Sequence, residues 1–107
     1  MSGATQSRFH AETLLETDSA RVRVMTLAAG EGTAWHRHSL VTDEMVGLEG
    51  ELVVELAGPD RRVPLTAGER CTVLSGQRHR VINPGATPGA YLLVQGGGAY
   101  DFIVSAP

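Results

Sequence analysis

Glycine and proline interrupt this sequence so often that no helix of useful length fits between them. The breaks AAGEG, LEGE, AGPD, TAGE, LSGQ, NPGATPG and QGGG separate short runs rich in β-branched and aliphatic residues. Those runs are RVRVMTL at 21–27, TAWHRH at 33–38, EMVGL at 44–48, ELVVEL at 51–56 and RRVPL at 61–65. RCTVL at 70–74, HRVI at 79–82, YLLVQ at 91–95 and YDFIV at 100–104 complete the set. Many short strands with regular turn signals predict an all-β chain, folded as an antiparallel sandwich or small barrel. Gly50 and Gly58-Pro59-Asp60 are expected to turn two hairpins. In ELVVEL, Leu52, Val54 and Leu56 share one face, so that strand has one buried side.

A chain of 107 residues suits a single domain, 1–107, with residues 1–7 (MSGATQS) as a loose polar arm. Hydrophobic residues make up 42% and charged residues 20%, which disfavours disorder. The formal net charge is -3 and no basic stripe is visible, which disfavours a nucleic-acid partner. All nine basic residues are arginine, so lysine Schiff-base and P-loop chemistry are excluded. Cys71 is the one cysteine and has no intrachain partner. No apolar run reaches membrane-spanning length and MSGATQSRFH is not an apolar leader, so a cytoplasmic protein with no membrane partner is expected.

The chemistry concentrates in two places. His36 and His38 stand two apart, so on a strand both imidazoles project from the same face, while Trp35 and Arg37 face away. Gly30, His36, His38, Asp43 and Gly50 form one spaced set over 30–50. Gly68, Leu74, Gly76, His79 and Asn83 form a second over 68–83. Together these resemble the two motifs of the cupin superfamily, in the right order, with eight of ten motif positions identical. The departures are Asp43, where glutamate is usual, and Leu74, where proline is usual.

The resemblance implies a small jelly-roll barrel (a double-stranded β-helix), often a homodimer. It implies a divalent metal, iron, manganese, nickel or zinc, held inside the barrel by His36, His38, Asp43 and His79. Gly50 and Gly76 would serve turns, and Asn83 would bond nearby backbone. The acidic position is open from the residues: spacing favours Asp43, whereas alternation groups Glu44 with Val46 and Leu48 on what reads as the interior face. Asp43 is carried forward as the ligand.

His10 matches no motif and is expected at the surface. Cys71 lies in an apolar strand and is expected as a small buried hydrophobe. Arg78 and Arg80 flank His79, and Arg80 is expected to face outward. Met25, Val81 and Phe102 are candidates to line a pocket beside the ligands. The functions these features imply are a metal-dependent small-molecule enzyme of dioxygenase, isomerase or lyase type, or a non-catalytic ligand-binding or sensor module.

Overall fold

A computed structural model describes residues 7–107, and the described residues form ten strands and no helix. These are β1 (His10–Glu16), β2 (Ala20–Leu27), β3 (His36–Arg37), β4 (Thr42–Glu49) and β5 (Leu52–Leu56). β6 (Arg61–Leu65), β7 (Arg70–Val73), β8 (His79–Ile82), β9 (Gly89–Gly96) and β10 (Ile103–Val104) follow. They build two five-stranded sheets, β1-β2-β9-β4-β7 and β10-β3-β8-β5-β6, with every pair antiparallel. This is the double-stranded β-helix expected from the sequence.

The inner faces of the two sheets enclose one core. β5 buries Leu52, Val54 and Leu56, as its alternation requires, and Leu65, Val73, Val81 and Tyr91 close around them. Met25, Leu27, Met45, Cys71 and Leu93 complete it. Truncating a residue such as Leu52 removes its transfer energy and leaves a cavity, at about 2–5 kcal/mol.

Three features differ from the sequence reading. Gly50 does not turn a hairpin: β4 and β5 lie in different sheets, so the chain turns a corner there. Its φ is +81°, and a Cβ would sit 2.7 Å from Gly89 Cα, so both the backbone angle and the close approach require glycine. The second turn is a true hairpin, pairing Leu52 with Leu65 through Leu56 with Arg61, and its Gly58–Pro59 bond is cis. β1 was not anticipated at all. Of the arm expected over 1–7, only Ser7 is among the described residues; its Oγ accepts from the Ala34 amide at 2.8 Å.

The interior face of β4 is the other correction. Asp43, Met45 and Gly47 point inward, while Leu48 is 47% exposed and Glu44 reaches outward to Thr72 Oγ1 at 2.8 Å. Alternation misled because an interior glycine contributes no apolar signal. Gly47 is glycine because a Cβ would lie 2.1 Å from the Thr66 carbonyl oxygen.

Candidate metal centre

Two sheets supply the site from opposite sides. β3 and β8 pair at a single point, His36 opposite His79, and this brings the two rings to 4.2 Å between centroids. His38 follows two residues after His36 on the same side, with its ring 4.9 Å from that of His36. The amide of Gly76 donates to the carbonyl of His38 at 2.7 Å, tying the two motif segments together. A ring nitrogen from each of His36, His38 and His79 lies within 4.8 Å of the others, and all three residues are buried. Asp43 enters from β4 in the facing sheet and is also buried.

The imidazoles share one hydrogen-bonding arrangement. Nδ1 of His36 faces the Ala34 carbonyl at 2.7 Å, that of His38 the Asp101 carbonyl at 2.5 Å, and that of His79 the Gln77 carbonyl at 2.9 Å. A carbonyl only accepts, so Nδ1 carries the proton in each ring and Nε2 is left as a lone-pair donor when the ring is neutral. His38 Nε2 and His79 Nε2 lie 3.2 and 3.3 Å from Asp43 Oδ2. Neither contact has hydrogen-bond geometry, and both nitrogens are buried without a hydrogen-bond partner among the described residues. Lone pairs and a carboxylate converging in a buried space offer a cation a place between them. Three nitrogens and one carboxylate form a donor set suited to a divalent first-row metal. The residues present therefore fit such an ion.

Protonation follows from this packing. Burial, with His79 and His38 beside it, pushes His36 down to about 3, so it stays neutral. Burial also opposes charging of His38, but the Asp43 carboxylate beside it outweighs the burial and raises His38 above its ordinary value. Asp43 is held well below the usual carboxylate range: His38, His79 and Gln95 together overcome the desolvation that would raise it.

Behind Asp43 runs a polar row that sequence reasoning missed. Arg21, Gln95 and Asp43 are direct partners across β2, β9 and β4. Gln95 Nε2 donates to Asp43 Oδ1 at 3.0 Å, and Arg21 donates to Gln95 Oε1 through Nε at 3.2 Å and Nη2 at 3.1 Å. The Arg21 guanidinium stacks on Tyr100, 3.6 Å from the ring centre. The alternation of RVRVMTL does place Arg21 and Arg23 on the face of Met25 and Leu27, but the competing Val22-Val24 face hid that signal.

A cavity of about 30 Å3 adjoins the rings, and Met25, Val81 and Phe102 line it as expected. Phe102 stacks on His36 with ring centroids 4.1 Å apart. β10 places it there by pairing with β3 of the same chain. The remaining residues singled out by sequence lie away from the rings. His10 is exposed on β1; Cys71 is buried, and burial raises its thiol. Arg80 stacks over Trp35 at 5.0 Å and binds Glu55 at 2.6 Å on the outer side. Asn83 donates to the Leu27 and Thr87 carbonyls and accepts from the Gly85 amide, which pins the loop after β8.

Comparison with known proteins agrees with this architecture. The Cupin domain family matches residues 23–95, and the chain belongs to that family. A conserved protein with a double-stranded β-helix domain from Klebsiella pneumoniae superposes with a TM-score of 0.80 at 24% identity, covering 94% of this chain and 86% of that one. A cupin domain from Bordetella pertussis gives 0.67 at 24% identity, covering 90% and 96%. An oxalate oxidase in complex with glycolate gives 0.77 at 17% identity over 92% of this chain, which spans 55% of that chain. At these identities the likeness concerns the fold. No curated protein sequence matches the chain significantly.

Proposed function

We propose that this cupin binds one divalent metal through His36, His38, His79 and Asp43 and uses it on a small molecule. The observation that carries the reading is the convergence of three buried imidazoles, each held by a backbone carbonyl at Nδ1, with the Asp43 carboxylate beside Nε2 of His38 and His79. Iron, manganese, nickel and zinc all suit this donor set. The metal, when bound, supplies Lewis acidity or, if redox-active, oxygen chemistry, as in dioxygenases, isomerases and lyases. The chain's own residues orient the donors: the three carbonyls fix the rings, and Gln95 with Arg21 fixes Asp43. Phe102 stacks on the His36 ring and Tyr100 lies beside that of His38.

One observation favours a second reading, a non-catalytic binding or sensor module. The inner cavity, about 30 Å3, has room for about two water-sized groups. The two readings separate by assay of the metal-loaded protein: substrate turnover or oxygen consumption, lost in His79→Ala, supports the enzyme. Saturable ligand binding with no product across a broad panel contradicts it and supports the module.

The reading includes a cytoplasmic protein acting as a homodimer. Free, buried Cys71 suits a reducing compartment, and no helix among the described residues is long and apolar enough to cross a membrane.

A further inference from the structure

Met25 and Leu27 point into the core, so the same alternation turns Arg21 and Arg23 inward from β2. Both line the cavity that His36, His38 and His79 line. Arg21 is committed to Gln95 and to the face of Tyr100. Arg23 is not: its Nε is buried and has no hydrogen-bond partner among the described residues. An unmet buried donor is costly, more so on a charged group. An anion entering the cavity would meet that need.

The geometry points to a short-chain carboxylic acid as the ligand, with its carboxylate held by Arg23 beside the histidine cluster. A guanidinium edge offers two parallel N–H donors, which match the two oxygens of a planar carboxylate. A space for about two water-sized groups admits the carboxylate head of an acid and little more. This deepens the small-molecule reading of the site, but Arg23 needs no metal to hold a carboxylate.

The test is calorimetric titration of the full chain, metal-free and metal-loaded, with lactate and malonate beside lactamide and malonamide, and with inorganic phosphate. Wild type, Arg23→Gln and Arg23→Lys are compared. The expected result is that each acid binds wild type about tenfold or more tighter than its amide. Arg23→Gln should lose that preference and Arg23→Lys should keep part of it. Equal binding of acid and amide overturns the inference, as does tighter binding of phosphate. Acid binding confined to the metal-loaded protein and unchanged in Arg23→Gln also overturns it, because the metal alone would then hold the carboxylate. If Arg23→Gln does not fold, the acid–amide comparison on wild type and Arg23→Lys decides. Acid preference in a protein that refuses metal would support the arginine site and sink the metal reading. Stoichiometric metal with no acid preference would do the reverse.

Discussion

His36 and His38 were found by alternation because a strand puts residues two apart on one side, and His79 by its place in the second motif. Asp43 came from spacing alone. Gln95 and the two inward arginines were not found, because nothing in their own segments marks which face is interior. Gln95 now gives a residue-scale prediction. Its amide fixes Asp43 Oδ1, so Gln95→Leu should weaken metal binding about 10–100-fold. Competition against a chelator of known affinity checks it, and unchanged affinity would contradict the positioning role.

Acid stability is a second prediction at this scale. His36 is lowered to about 3 on folding, so between that value and its ordinary 6.5 the unfolded chain binds the extra proton. The stability it contributes is lost as the pH falls through this window. Asp43, also depressed, contributes stability that is lost in the same direction below about 4. His38 opposes them: its raised value contributes stability that is complete below 6.5 and fades as the pH rises through its folded value. Urea midpoints of metal-free protein should therefore fall from pH 6 to pH 4, and His36→Leu should shrink the fall. A flat profile would contradict the burial argument.

Elements were legible where one face is plainly apolar, and less so elsewhere. β5, β6 and β8 were found within a residue because Leu52, Val54 and Leu56, or the bounded runs RRVPL and HRVI, leave one choice. β1 was missed because HAETLLE is almost wholly exposed and carries a bulge between Thr13 and Leu15, which breaks its alternation. The Gly50 turn was located but misread, since a glycine with positive φ serves a corner between sheets as well as a hairpin. Gly47 tests the packing of the elements. A methyl group there meets the Leu65 and Thr66 carbonyls at 2.4 and 2.1 Å, backbone that cannot rotate aside. Gly47→Ala should lower unfolding free energy by about 2 kcal/mol or more in denaturant titration. A wild-type midpoint would show that the β4–β6 approach is slack.

At the scale of the whole molecule, the outer face of one sheet explains why alternation was ambiguous in both β2 and β4. Val22 pairs with Leu15 and Val94, while Val24 pairs with Leu92, which pairs with Val46. These rows make an apolar outer surface, with Leu15 60% and Val94 37% exposed. Two such faces packed together would form a two-fold dimer with sheet stacked on sheet. Sedimentation at micromolar concentration should show a dimer, and Val94→Glu should shift it toward monomer with the fold retained. A wild-type monomer would remove this role from the face.

The central claim is that WHRH is part of a metal centre built across two sheets. Elemental analysis of untagged wild type beside His36→Ala and His79→Ala tests it most directly, since a tag would add histidines of its own. The account predicts near-stoichiometric iron, manganese, nickel or zinc in wild type and its loss in both variants. Wild-type protein that is metal-free and refuses added metal would contradict it.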